Sequence, residues 1–280
     1  MSIFSRLFRT RPEPISMARF CELRTAQPRR LCFGTSRKLS RGTDGPAIGF
    51  LSLNFNETIE VLLPWDLERF DGKYGRQYRR IIRSESEYID IENWISGNSE
   101  IVFIRSLLTT CIAVSEHQSA PGQHTVVGDL ERRAKYESDQ SARSDLLDRI
   151  EAVYRRLHGD LEIDAICSVP PSRRGSFCLP EWLAAGLGDR LGIEDLTTSL
   201  NWVGSKPSMK EVDVDQKWAA LEAVGMSIDV SVEGRRILIL DDLFQSGATV
   251  HFVASKLQSA GASQLHCLAV VKALSDTDNT

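Results

Sequence analysis

The sequence predicts an α/β fold: a mainly parallel sheet with helices on both faces, preceded by an α+β N-terminal extension. Two observations carry this reading. From residue 162 onward, short aliphatic runs alternate with helix-length stretches: DAICSVP at 164–170, a helix from Pro180 to Leu191, a strand at 235–242, a helix over 248–260, and the final strand QLHCLAVVKAL. These strands are apolar along their length, as strands buried on both faces are, and helical crossovers join parallel neighbours. Upstream of residue 162 that alternation is missing, which sets the N-terminal part off as a different architecture.

In chain order, the expected units are a basic, flexible segment at 1–44, an α+β region at 45–158, a core at 159–275 and a tail at 276–280. GPAIGFLSLNF (45–55) and TIEVLLPW (58–65) read as two strands joined by a tight turn at Asn56-Glu57. Residues 66–115 read as polar helical stretches around the apolar run IVFIRSLL (101–108). EHQSAPGQHT (116–125) reads as a linker; its His117 and His124 have no acid or cysteine at ligand spacing and are loop histidines. A long helix over 141–157 places Leu146, Leu147, Ile150, Val153, Tyr154 and Leu157 on one face. In the core, Pro180 suits the first turn of its helix, the polar segment 197–217 separates two strands, and Gly261 closes the last helix.

Composition bounds the class. Of 280 residues, 42% are hydrophobic and 26% charged, as in an ordinary soluble protein, and no apolar run reaches the length of a membrane span. The six cysteines are scattered, with no C-x-x-C pair, which argues against a zinc ribbon and for a reducing, cytoplasmic setting. Charge is uneven. Residues 1–50 hold ten Lys/Arg against three acids, or +7, and since the whole chain carries −4, the remainder carries −11. The basic residues between Arg6 and Arg41 suit a nucleic-acid contact or a solvated tail. The opening MSIFSRLFRTR also has transit-peptide character, which Pro12 and Pro14 weaken by ending any helix early.

The most informative stretch is ILILDDLFQSGAT, residues 237–249. Four aliphatic residues form a buried strand that delivers Asp241 and Asp242 to its carboxyl end, where ligands bind in open α/β sheets. The chain then turns through Gln245, Ser246, Gly247, Ala248 and Thr249 into a helix. A small glycine-containing loop at a helix N-terminus offers unpaired N–H groups and a positive dipole end to a phosphate. Acids beside a phosphate cradle suit a phosphorylated sugar.

This stretch resembles the phosphoribosyl pyrophosphate (PRPP) signature of type I phosphoribosyltransferases, departing from it only at Gln245. The resemblance covers about residues 160–275 and implies that 245–249 hold the 5′-phosphate while Asp241 and Asp242, the catalytic acids, hold the ribose hydroxyls. VPPSRRG (169–175) stands where the family places its pyrophosphate loop, so Ser172, Arg173, Arg174 and Gly175 become the pyrophosphate-binding residues. The arrangement VPP…RRGS…LPEWLA is similar to the ComF-like branch, whose zinc-binding cysteine pairs are absent here. GSKPSMKEVDVDQK (204–217) has the place of the family's closing loop, with Lys206 and Lys210 able to reach the pyrophosphate.

The implied activity is transfer of ribose 5-phosphate from PRPP to a nitrogen acceptor. Mg2+ would be the cofactor, held mainly by PRPP and, through bound water, by Asp241 and Asp242. Gln245 stands where 6-oxopurine enzymes carry an Asp, and an amide cannot act as that general base. The alternative is a non-catalytic PRPP sensor or a nucleic-acid-associated module for DNA uptake or bacterial defence, using residues 6–41. A homo-oligomer or partner complex is the expected assembly, and no membrane contact is expected.

Overall fold

The computed structural model of the chain describes residues 13–36, 38–42, 47–72, 75–171, 176–207 and 212–275. The Ser16 hydroxyl accepts a hydrogen bond from the Arg19 amide and so caps α1 (Met17–Thr25), which buries Phe20 and Leu23. After β1 (Arg30–Cys32) come β2 (Leu39–Arg41), β3 (Gly49–Leu53), β4 (Glu68–Gly72) and β5 (Gly75–Ile82). These last four form an antiparallel sheet in the order β2-β3-β5-β4. Strand β3 alternates, burying Leu51 and Leu53, and these meet Tyr88 and Ile91 of α2 (Glu85–Gly97) in one core.

Two expectations for this region are corrected. Residues 58–65 are not a strand: they hold a 3-10 turn at Glu60–Leu62. Their buried residues Ile59, Leu62 and Leu63 follow a helical spacing, the Asn56 carbonyl accepts from the Ile59 and Glu60 amides, and the Thr58 hydroxyl donates to the Ile104 carbonyl. Of the polar helical stretches expected in 66–115, the first is instead the β4–β5 hairpin, while the second is the helix α2. Arg79 lies over the rings of Phe50 and Phe70, 5.0 and 4.2 Å from their centroids, so a charged residue covers apolar surface and hides the alternation.

Next come β6 (Val102–Ile104), β7 (Thr110–Glu116), β8 (Gln118–Ala120) and β9 (Gln123–His124). The expected linker at 116–125 is thus the small β8–β9 hairpin, fastened to the sheet where the His117 amide donates to the Lys272 carbonyl. Thr125 then caps α3 (Val126–Tyr136), and Asp139 caps α4 (Gln140–Leu157). All six residues assigned to the apolar face of this second helix are buried. Then follow β10 (Ala165–Ser168), α5 (Leu179–Leu191, with Pro180 in its first turn), β11 (Glu194–Asp195) and β12 (Leu200–Trp202). The chain closes with α6 (Val214–Val224), β13 (Met226–Ile228), β14 (Arg236–Phe244), α7 (Ala248–Ser259) and β15 (Gln264–Lys272).

The main sheet has the order β1-β6-β7-β15-β14-β10-β11. Strands β7, β15, β14, β10 and β11 are mutually parallel, and β6 and β1 extend one edge antiparallel. Alternate residues of β14 serve opposite faces. Leu238 and Leu240 pack with α3, α4 and α5, whereas Ile237 and Ile239 pack with α1, α6 and α7. The fold is therefore α/β, with helices on both faces of a mainly parallel sheet. The division expected at residue 158 runs through this sheet, because β1, β6 and β7 all precede it.

Beneath the sheet's amino end, the Thr110 hydroxyl lies 3.0 Å from both His158 Nε2 and His266 Nδ1. Having one proton, it donates to one ring and accepts from the other. The outer ring nitrogens, His158 Nδ1 and His266 Nε2, have no hydrogen-bond partner among the described residues. Burial pulls His158 down to about 4; burial, then the charges of His158 and Arg236, pulls His266 well below the usual value. The fold accepts the neutral rings, so this stability is full above the ordinary histidine value and is lost as pH falls. Urea denaturation between pH 7 and 4 should show a loss approaching roughly 3 kcal/mol from His158 alone. His158→Gln should flatten the profile; an equally steep mutant profile would disprove the assignment.

Candidate functional site

β10 ends at Ser168, opposite Leu240, while β14 continues to Phe244 with only β15 beside it. From β10 the chain moves outward to β11, and from β14 it moves the other way to β15. A crevice opens at such a reversal, beyond the strands' carboxyl ends. Asp241 and Asp242 occupy the part of β14 that borders it.

The two acids are held differently. Asp241 accepts a hydrogen bond from the Asp242 amide at 3.0 Å. Burial, then the neighbouring Asp242 charge, raises the Asp241 pKa, against the opposing pull of Lys135 and Lys206. Asp242 forms a 2.6 Å ion pair with Lys135 of α3. Lys206 lies 4.6 Å from the Trp202 ring centroid; burial lowers its pKa, while Asp241, Cys178 and Asp242 work to raise it. Burial chiefly, with the two acids adding, pushes the Cys178 thiol up to about 11, so it is a neutral neighbour and not a thiolate nucleophile.

The glycine loop is set by a clamp. Gly247 has φ 82°, a left-handed conformation, immediately before α7. His251, one turn into that helix, lies with Nδ1 2.7 Å from the Gly247 carbonyl, to which it donates. Its Nε2 therefore accepts from the Leu107 amide at 3.3 Å and the Ser106 hydroxyl at 2.9 Å. Burial holds this ring neutral, its pKa pulled down to about 4. The Ser246 carbonyl accepts from the buried Arg29 guanidinium at 3.3 Å, and the Ser246 hydroxyl accepts from the Ala248 amide. The amides of Thr249 and Val250, in the helix's first turn, have no acceptor within it and face its N-terminal end.

The structure thus brings Asp241, Asp242, Lys206 and residues 245–249 to one end of β14. Ser172, Arg173, Arg174, Gly175 and Lys210 lie outside the described residues. The loop carrying the first four leaves the sheet just after β10, where the Trp202 indole N–H donates to the Pro170 carbonyl at 3.0 Å. Sequence reasoning missed Lys135, Cys178, His251, Ser106 and Arg29. His251 was findable, since it sits four residues after Gly247 on the same helical face. Arg29, Ser106 and Lys135 come from distant segments and give no local signal.

Among the described residues no group of three or more His, Cys, Asp or Glu side chains forms a metal cluster. No helix among them is long and apolar enough to cross a membrane. The acid pair offers hard oxygens of the kind Mg2+ takes, but too few to hold the ion alone.

No family model and no curated protein matches this sequence. Solved structures similar to it include adenine phosphoribosyltransferase from Saccharomyces cerevisiae, at 15% identity over 49% of this chain and 71% of that one, with a TM-score of 0.34. The adenine phosphoribosyltransferase of Thermoanaerobacter pseudethanolicus is 20% identical over 49% of this chain and 83% of that one, with a TM-score of 0.33. A hypoxanthine phosphoribosyltransferase from Staphylococcus aureus is 16% identical over 49% and 70%, with a TM-score of 0.30. Function therefore rests on this chain's own residues.

A side chain at Gly247 is the direct test of the cradle. A Cβ there would lie 2.4 Å from the Phe244 ring and 3.1 Å from His251 Nδ1. Gly247→Val should lower unfolding stability by about 1–3 kcal/mol, through crowding and an unfavourable φ. It should also abolish ribose 5-phosphate binding measured by calorimetry. Wild-type affinity in the folded mutant would place the phosphate cradle elsewhere.

Proposed function

We propose that this protein binds PRPP at the carboxyl end of β14 and transfers its ribose 5-phosphate to a nitrogen acceptor, releasing pyrophosphate, as a relative of ComF-like type I phosphoribosyltransferases. The observation that carries the reading is the join of two acids at a strand end to a clamped glycine loop opening a helix, all bordering one crevice. Asp241 and Asp242 would hold the ribose hydroxyls. Gln245, Ser246, Gly247, Ala248 and Thr249 would hold the 5′-phosphate through backbone N–H groups and the Thr249 hydroxyl. Arg173 and Arg174, with Ser172 and Gly175, would take the pyrophosphate, and Lys206 stands close enough to the acids to share it.

Substitution at the anomeric carbon passes through an oxocarbenium-like state, so positioning and charge neutralisation carry the rate. Mg2+, when bound to PRPP, would neutralise the departing pyrophosphate. Lys210 and the rest of 204–217 would cover the reacting centre and exclude water. Gln245 leaves no general base at its position, which disfavours 6-oxopurine acceptors. The protein would act in the cytoplasm.

A second reading, PRPP sensing without turnover, draws support from the Lys135–Asp242 ion pair, which already neutralises one acid before any ligand arrives. The nucleic-acid reading has less to draw on. Arg19 pairs with Glu13, Arg29 with the Ser246 carbonyl, Arg30 with the Ala273 and Leu274 carbonyls, Lys38 with Asn54 and Arg41 with Glu85. Arg6, Arg9, Arg11 and Arg37 lie outside the described residues.

Calorimetry with PRPP and with ribose 5-phosphate tests the assignment. Asp241→Asn with Asp242→Asn should sharply weaken both ligands. Arg173→Ala with Arg174→Ala should reduce PRPP affinity by about 1.5–3 kcal/mol per lost charge-assisted contact and spare ribose 5-phosphate. Equal affinities for wild type and the acid mutant would remove the site. Pyrophosphate release on adding candidate nitrogen bases separates transfer from sensing.

A further inference from the structure

Lys135 is built into the acid pair from behind. It reaches Asp242 at 2.6 Å, and that carboxylate is only 16% exposed. One helical turn earlier on α3, Glu131 stands 3.5 Å from the same ammonium, with its own side chain 4% exposed. His117 Nε2 approaches the other Glu131 oxygen at 3.7 Å. Leu130 and Ala134 are buried against the sheet and fix the helix that carries the lysine. The ammonium therefore lies between a buried and a nearly buried carboxylate, and moving it away would cost both of them their nearest ammonium.

We propose that Lys135 occupies the cation position on Asp242, so that the acid pair meets its ligand with a resident ammonium and keeps a divalent ion from direct contact with that carboxylate. The inference deepens the PRPP reading and rests on it for the ligand, while the role of the lysine toward metal stands on its own. A divalent ion at Asp242 would need several oxygens around it and would have to share the site with the ammonium. Lys206, which lies over Trp202 on the other face of the sheet and interacts with Asp241, adds a second positive charge to the pair. A metal entering with PRPP would then stay on the pyrophosphate, and the ribose would be held by carboxylates whose charge the protein itself balances. Lys135 is in this sense a positioning residue, acting through Asp242.

Manganese titration of the intact protein, followed by electron paramagnetic resonance, tests this without any sugar ligand. Wild type and Lys135→Arg should bind Mn2+ weakly. Lys135→Met, which bares Asp242, should bind it at least roughly tenfold tighter, and adding Asp242→Asn should remove the gain. Lys135→Gln provides a second neutral variant should the methionine protein melt below assay temperature. Equal Mn2+ affinity in wild type and the neutral variants would overturn the proposal. So would tight wild-type binding that Asp242→Asn abolishes. Ribose 5-phosphate affinity in wild type should be the same in EDTA as in Mg2+. Absence of any ribose 5-phosphate or PRPP binding would end the PRPP reading, while the manganese result would still decide the role of Lys135.

Discussion

β14 runs four residues past its last pair with β10, and that overhang governs the site. If β10 continued alongside, Asp241 and Asp242 would lie inside a closed ladder, with no room for a ligand between the strands. Because β10 stops at Ser168, the acids keep the rigidity of a central strand on the β15 side and an open flank on the other. Rigid placement with one free side is what a binding carboxylate needs. The open flank also explains the electrostatics. Two acids so close in a half-buried crevice repel one another, and the protein answers with Lys135 and Lys206 from opposite parts of the chain.

The loop after the acids depends on a different part of the molecule. A left-handed glycine and a helix start are local features, but their exact placing is not. His251 ties the Gly247 carbonyl to Ser106 and Leu107, and Arg29 holds the next carbonyl upstream. The N-terminal region is therefore structural support for the glycine loop. The basic segment, for which a solvated tail is one of two expectations, carries folded elements among its described residues: α1 buries Phe20 and Leu23, and β1 joins the main sheet.

What could be read from the sequence follows from what is local. The core helices and the strands flanking the acids came through because their apolar patterns persist over whole elements, as in α4 and β14. Residues 241–249 were legible as a candidate site because strand, acids, glycine and helix are contiguous. The N-terminal sheet was not legible: in β4 and β5 charged side chains cover aromatic rings, and at 58–65 an apolar run folded as a turn. Nor could any pattern show that β7 would join the core, since its partner β15 lies at the other end of the chain. The long-range braces, Arg29, Ser106 and Lys135, share that invisibility. Each contributes one side chain to a site more than a hundred residues away.

The pairing of β7 with β15 bears on how the molecule is assembled. Thr110 and His266, which meet across it, are separated by 156 residues. During synthesis β7 emerges long before its neighbour, with β6 paired on one side and a row of unpaired backbone groups on the other. Its sequence from Thr110 to Val114 is buried and mostly apolar in the finished protein, so while it waits it is an adhesive edge. Formation of the central ladder must await Gln264–Lys272, a high-contact-order step that is slow for a chain of this size. A nascent or truncated chain ending before Gln264 would carry a largely formed N-terminal sheet and an uncovered β7. Its fate would be decided by chaperones or self-association, so the C-terminal strand protects the protein's solubility as well as completing its fold.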